Sequence, residues 1–191
     1  MSYAMGLPRH GVDMIIIVTM KEASRMAVKK TSPETMCPIA RAEDIVGDRW
    51  TVLVLRELFM RNHRYDEIQA QTGGTPQMVA ARLKSLEADG MVERRAYSER
   101  PPRYEYHLTA KGEAFYSVVL ALRAWGETWC KAPEEGLAVR YTHQPCGHPA
   151  GLGPLCDHCG QVLRREELIS EPTPGYVEER AARREAFKSK P

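Results

Sequence analysis

The sequence has no GxSxG elbow, no phosphate-cradling glycine loop and no paired general base, which leaves little ground for a hydrolase or nucleotide-handling enzyme. Cysteine is sparse and odd in number: five residues, unevenly spread, do not make a disulfide framework, and a reducing cytoplasm is the expected location. Near the N-terminus the apolar run MIIIV is far too short to cross a bilayer, and no small-residue cleavage site follows a basic flank. That argues against a membrane protein. An excess of one charge is also missing: the net charge of +2 is too small to show polyanion binding by itself, so any nucleic-acid reading must rest on where the charges lie. What remains is a soluble globular chain of 191 residues, enough for one good core plus an appendage.

The stretch TPQMVAARLKSL, Thr75 to Leu86, sorts into two faces. At the α-helical repeat Val79, Leu83 and Leu86 stack along one side, which must be buried. About half a turn away lie Gln77, Ala81, Lys84 and Ala88, with Ala80 on the flank, a short face able to approach a surface closely. Thr75 suits the N-cap and Pro76 the first helical position. Gly73 and Gly74 supply a sharp turn, and RYDEIQAQT before them reads as a shorter helix packing through Tyr65 and Ile68. Helix, glycine turn and second helix with an exposed N-terminal half is how a helix-turn-helix reader enters the DNA major groove. An antiparallel helix pair inside a core is the competing reading.

Around this stretch the pattern is mostly helical. CPIARAEDIVGD predicts a helix from Cys37 with a stripe of Ile39, Ala42, Ile45 and Val46, ended by Gly47. WTVLVLRELFMR is apolar almost all round, as expected of the buried hub of a small domain. Past Gly90, MVERRAY and PPRYEYHLT predict two short strands joined by a stiff proline-rich tip, Ser98 to Pro102. Arg94, Arg95, Arg100 and Arg103 surround the tip, with Glu93, Glu99 and Glu105 against them. Such a ribbon after a reading helix is a wing, and basic wing tips lie along the backbone or in the minor groove; a surface hairpin with solvated arginines is the alternative. TAKGEAFYSVVLALRAWGETWC predicts one long helix whose Phe115, Val118, Val119, Leu122, Trp125 and Trp129 exceed what a small core needs to cover, so a homodimer interface is expected. Residues 1–36 have little periodicity beyond the isoleucine run, which could form a short strand or dock on a partner subunit. The start of translation could equally lie at Met14, Met20 or Met26.

From Cys37 to Trp129 the chain resembles the HxlR-type winged-helix transcriptional regulators, relatives of the MarR group. CP at 37–38, IVGDRW, RYDEI, ARLKSLEADGMVERR, PPRYEYHLTAKG and AWG carry the resemblance, in order. It implies a dimeric bacterial regulator of nearby genes that binds an inverted repeat in double-stranded DNA through a recognition helix and a wing. The residues expected on DNA are Thr75, Gln77, Ala81, Arg82, Lys84, Arg95, Arg100 and Arg103. Family members often carry Lys or Arg at the position of Gln77, and a hydroxyl and an amide at those of Ala80 and Ala81. Base readout here is then sparse or favours thymine methyls, and affinity leans on phosphate contacts with a steep salt dependence. Cys37 stands at the family's N-terminal cysteine position; in some relatives that thiol senses oxidants or electrophiles, and a helix N-terminus can make a thiol a faster nucleophile. A buried structural cysteine is the alternative, and Cys130 is a conceivable partner across a dimer.

After the linker KAPEEG the chain changes character. His143, Cys146, His148, Cys156, His158 and Cys159 crowd into one short segment. Cys156 and Cys159 form a CxxC followed by Gly160, and His143 and Cys146, followed by Gly147, repeat the spacing. Two such knuckles can close a tetrahedral zinc site of His143, Cys146, Cys156 and Cys159, with His148 as alternative to His143, giving an apolar-poor segment a fold it could not otherwise hold. A metal-free remnant of a ribbon is the alternative. A zinc deaminase is set aside, since no HxE precedes PLCDHC.

The expected fold is mainly α with a small β-wing (α+β): a winged helix-turn-helix domain plus a small C-terminal zinc-ribbon-like module. The expected division is a loosely ordered N-terminal extension at 1–36, the DNA-binding and dimerisation domain at 37–130, a linker at 131–140, the ribbon-like module at 141–170 and a charged tail at 171–191, whose EERAARREAFKSK reads as a charged helix or tail, solvated rather than bound to nucleic acid. The function expected is a sequence-specific DNA-binding regulator, not an enzyme, answering to a small molecule, an oxidant or a metal. A protein-binding adaptor with a degenerate winged helix is the alternative from another class, and an enzyme built around the cysteine and histidine cluster, zinc-dependent, is a further and weaker one.

Overall fold

The computed structural model describes residues 35–189. The isoleucine run and the alternative starts lie outside them. Helix α1, Pro38–Val46, follows Cys37 and stops at Gly47; none of its residues is fully buried, and its stripe divides, Ile45 and Val46 packing half-buried against the core while Ile39 is 71% exposed. Helix α2, Arg49–Phe59, is the hub. Asp48 caps it, its carboxylate accepting from the Trp50 and Thr51 backbone N–H groups at 2.7 and 3.2 Å. Val54, Leu55 and Leu58 are sealed from solvent and pack on Ile68, Val79, Leu83, Leu86 and Leu120 from the helices that follow.

Helices α3, Tyr65–Thr72, and α4, Pro76–Ala88, are joined by the two glycines. Gly73 takes the left-handed conformation at φ 70°, which favours a residue without Cβ. A Cβ on Gly74 would lie 3.0 Å from Val79 Cγ2 and 3.4 Å from the Trp50 ring, so the second glycine lets the turn press against the core. Strands β1, Val92–Glu99, and β2, Pro102–Leu108, pair antiparallel from Val92↔Leu108 to Glu99↔Pro102, with an irregularity between Ala96 and Ser98. The expected tip of Ser98 to Pro102 is therefore shorter than the sequence suggests. Pro102 opens an edge strand, where a missing N–H costs nothing, and the Ser98 hydroxyl donates to the Pro101 carbonyl across the turn at 3.0 Å.

The single long helix expected after Thr109 is instead two, α5, Ala110–Ala114, and α6, Tyr116–Trp129. Gly112 is the cause of the close approach there: a Cβ on it would meet the Met91 carbonyl oxygen at 2.1 Å. The helix tightens behind it, the Phe115 N–H bonding the Gly112 carbonyl three residues back. A short 3-10 turn, Pro133–Glu135, leads to a three-stranded antiparallel sheet of order β4-β3-β5: β3, Val139–His143, β4, His148–Pro149, and β5, Leu168–Pro172.

The closing segment, read as charged and solvated, forms helix α7, Pro174–Lys188, docked on α2 and α3. Its Arg180 reaches Glu57, completely buried on α2, at 2.6 Å, while Asn62 donates to the same carboxylate at 2.6 Å. Burial pushes the Glu57 carboxyl up, and the contacts with Arg180, Arg56 and Asn62 more than offset it, holding it below its ordinary range. The side chain of Gln71 donates to the Arg180 carbonyl at 2.9 Å, and Arg183 donates to the Gln71 carbonyl at 2.9 Å. So α7 ties β5 to the helix that precedes the glycine turn.

Candidate functional site

On α4 the apolar and polar faces separate as the helical repeat dictates. Val79, Leu83 and Leu86 are buried; Thr75, Gln77, Ala80, Ala81, Lys84 and Ala88 are exposed. The Thr75 hydroxyl accepts from the Met78 N–H at 3.3 Å, fixing the first turn, and the Tyr65 hydroxyl donates to the Pro76 carbonyl at 2.6 Å, which clamps α3 to the start of α4. Arg82 behaves differently from its neighbours. Its guanidinium lies 2.7 Å from Asp48, the cap of α2, and so braces α4 within the subunit.

The ribbon of β1 and β2 follows the helix pair, and two of its four arginines, Arg94 and Arg95, are already engaged. Arg94 lies over the Tyr104 ring and 3.8 Å from Glu87, Arg95 pairs with Glu93, and Arg64 at the ribbon base reaches Glu105 at 3.4 Å. Arg100 and Arg103, at the tip, are exposed and have no acidic partner among the described residues; Lys84 on α4 is the same. The expected contacts thus fall into two groups: Lys84, Arg100 and Arg103 free to meet an anion, and Arg82 and Arg95 engaged by Asp48 and Glu93.

The second cluster lies on the small sheet. The ligand atoms of His143, Cys146, Cys156 and Cys159 all fall within 4.8 Å of one another, a group suited to hold a metal ion. Each knuckle is shaped by a left-handed glycine: Gly147 and Gly160 both have φ 71° and donate their N–H to the His143 and Cys156 carbonyls, each at 2.8 Å. His143 Nδ1 lies 3.4 Å from both the Cys146 and Cys159 sulfurs, and Cys146 Sγ lies 3.7 Å from Cys156 Sγ. The backbone N–H groups of Cys159 and His158 point at Cys156 and lower its thiol pKa to about 6, whereas burial raises that of Cys146. His148 is turned away: its Nδ1 contacts the Cys146 carbonyl at 2.6 Å and its ring stacks on His158. One participant escaped the sequence reading. Glu167 approaches the buried Nε2 of His143 at 3.7 Å, the place of a carboxylate that orients a ligating imidazole, yet in the charge run RREEL nothing distinguishes it from a solvated acid.

Cys37 is exposed at the N-cap of α1, and Cys130 is exposed at the end of α6. No helix among the described residues is long and apolar enough to cross a membrane.

A glycine-turned helix pair packed on a hub helix and followed by a two-stranded ribbon defines the winged helix-turn-helix class of transcriptional regulators. Residues 45–134 match the model of the HxlR-like helix-turn-helix family. The uncharacterized HTH-type transcriptional regulator Rv3095 of Mycobacterium tuberculosis is 33% identical over 138 residues, covering 72% of this chain and 87% of that protein. The HTH-type transcriptional regulator YtfH of Escherichia coli is 40% identical over 105 residues, covering 54% of this chain and 81% of its own length. Among solved structures, PA1607, described as a candidate transcription factor, superposes with a TM-score of 0.57 at 32% identity, covering 70% of this chain and 93% of that one. The chain belongs to the HxlR-like helix-turn-helix family of transcriptional regulators. Its relatives are regulators and not enzymes, which removes the zinc-enzyme reading.

Proposed function

We propose that this regulator binds an inverted repeat in double-stranded DNA as a homodimer, α4 entering the major groove and the tip of the β1–β2 wing lying on the flanking backbone. One observation carries the proposal: the side of α4 bearing Gln77, Ala81 and Lys84 is exposed, and the wing beside it ends in Arg100 and Arg103, exposed cations with no acidic partner among the described residues. Small side chains at 80 and 81 allow close approach and contact with thymine methyls, while Lys84, Arg100 and Arg103 neutralise phosphates. Arg82 and Arg95 contribute less, because contact with a phosphate competes with Asp48 and Glu93. Dimerisation is supported by Val118, Leu122, Trp125 and Trp129 along one exposed side of α6 and by the exposed Met36 and Ile39 at the start of the chain's first described helix.

The ion proposed for the ribbon is zinc, in a structural role. A tetrahedron with zinc–sulfur bonds of about 2.3 Å has edges of about 3.8 Å, and the 3.7 Å between Cys146 and Cys156 fits that edge. One nitrogen and three sulfurs form a donor set that zinc commonly takes in closed sites. Exposure of Cys37 supports a further role as an oxidant-accessible thiol, and the unpaired Cys37 and Cys130 support the cytoplasm as the working compartment.

Fluorescence anisotropy on duplexes from the region upstream of the gene tests the DNA proposal. A defined palindrome should bind at moderate salt. Arg103→Ala should weaken binding to all sequences alike and reduce the slope of log affinity against log salt by about 0.9 for each phosphate that is no longer neutralised. Equal, weak binding to any duplex would favour the adaptor reading instead.

A further inference from the structure

Where α2, α6, α7 and β3 converge there is a cavity of about 650 Å³. That volume lies within the range of about 300–1,000 Å³ typical of small-molecule sites. Its floor belongs to the core: Phe59, Tyr116, Leu120 and Val139 line it and are all buried. Burial pushes the Tyr116 and Tyr141 phenols up, as a water-poor floor requires.

The charged groups on the wall are already matched. Arg123 donates to the Val139, Gly151 and Leu152 carbonyls at 2.7, 3.2 and 3.0 Å. Arg56 is held by Glu57 and the Gln71 carbonyl, and Lys131 by Glu127 at 2.9 Å. The Tyr176 hydroxyl accepts from Arg180 at 3.3 Å. An anionic ligand would have to break one of these contacts; an uncharged one would not.

Gly126 provides the second observation. It sits inside α6, where a glycine costs about 1 kcal/mol relative to alanine, yet a Cβ built on it has nothing within 4 Å. No close approach inside the subunit demands it. Its missing side chain keeps open the space it borders, since Gly126 itself lines the cavity.

We infer that this cavity is a binding site for an uncharged, largely apolar small molecule, with Gly126 holding it open. Tyr176, on the wall, belongs to the first turn of α7, the helix whose Arg180 and Arg183 engage Glu57 on α2 and Gln71 on α3. A ligand pressing on Tyr176 thereby acts on the tie between the ribbon and the helix-turn-helix. This consequence for DNA rests on the DNA-binding proposal; the binding itself does not.

The test uses the full, metal-loaded chain and two fluorescent probes of one skeleton: N-phenyl-1-naphthylamine, which is uncharged, and 1-anilinonaphthalene-8-sulfonate, which is an anion. The uncharged probe should bind saturably at one site per chain and at least about tenfold more tightly than the sulfonate. Gly126→Leu should weaken it by at least about tenfold with mass by light scattering unchanged. Val119→Phe, filling the cavity from a neighbouring turn, should do the same and stands in if the first variant misfolds. Equal affinity for both probes, undiminished binding by the filled variants, or a change of oligomeric state in Gly126→Leu would each overturn the assignment, the last by giving the glycine to a contact between copies. Failure of wild-type protein to bind DNA while it still binds the probe would instead count against the DNA proposal alone.

Discussion

The residue with most to say about stability is Arg180. It closes on a carboxylate that has no access to solvent, and its removal leaves Glu57 charged and buried with only Arg56 and Asn62 to hold it. Breaking a buried pair by deleting one partner costs about 3–5 kcal/mol, so Arg180→Ala should lower the unfolding free energy by that amount in urea titrations near neutral pH. The pH dependence follows from the direction of the Glu57 shift. A carboxyl whose folded-state pKa is depressed contributes stability that is present above the ordinary glutamate value of about 4.3 and lost as pH falls through the folded value. The gap between wild type and Arg180→Ala should therefore be full at pH 7 and narrow on acidification below that range. A gap under about 1 kcal/mol at neutral pH, the size of an exposed pair, would show that the contact is not sealed.

At the scale of elements, legibility in the sequence tracked how local the determining physics was. The α3–α4 pair was readable because its caps, its glycine turn and its period-3.6 burial are all written within one short stretch, from Tyr65 to Leu86. The four-residue cluster was readable because knuckle spacing is itself local, His143 to Cys146 and Cys156 to Cys159. What could not be read is long-range: Glu57 lies in a helix that looks apolar almost all round, and its partner is 123 residues away in a segment that looks like a charged, solvated helix or tail. The break at Phe115 likewise depends on where the Met91 carbonyl falls in space. The ribbon offers a test at this scale. Apart from Val139, Ala150 and Leu163, which are buried, and Tyr141 and Leu168, which pack half-buried on the core, the cluster is what holds this segment, so removing the proposed ion with a chelator should strip amide-exchange protection from the knuckles at 143–160 while the α2 and α4 core keeps its own. Bound ion requires thiolates, so affinity should fall as pH falls. One zinc per chain in elemental analysis of the native protein is the expected stoichiometry; its absence, with the ribbon still protected, would mean that packing alone holds these strands.

At the scale of the molecule, the exposed apolar surface is what supports the proposal that two copies act together. Val118, Leu122, Trp125 and Trp129 are 45%, 47%, 60% and 74% exposed and follow one another at four, three and four residues, one continuous stripe on α6. A stripe carrying two exposed tryptophans is more than a lone monomer carries without consequence, because each aromatic side chain buries about 150–250 Å² when covered. The subunit's own core does not depend on it: Leu120 and Tyr116 seal the opposite side of the same helix. Trp125→Glu should therefore leave the fold and its circular dichroism intact while placing an unpaired charge in the proposed interface, and light scattering should report a monomer at micromolar concentration. A monomer meets only half of an inverted repeat and loses the advantage of a second contact tethered at high effective concentration, so its affinity for the palindrome should drop by about 10²–10⁴. Affinity for a single half-site should stay as in wild type, since α4 and the wing are untouched. If Trp125→Glu still weighs as a dimer, α6 is not the contact between copies and the pairing of two reading helices must be built from another face. If it becomes a monomer yet binds the full palindrome undiminished, the regulator reads its site one subunit at a time.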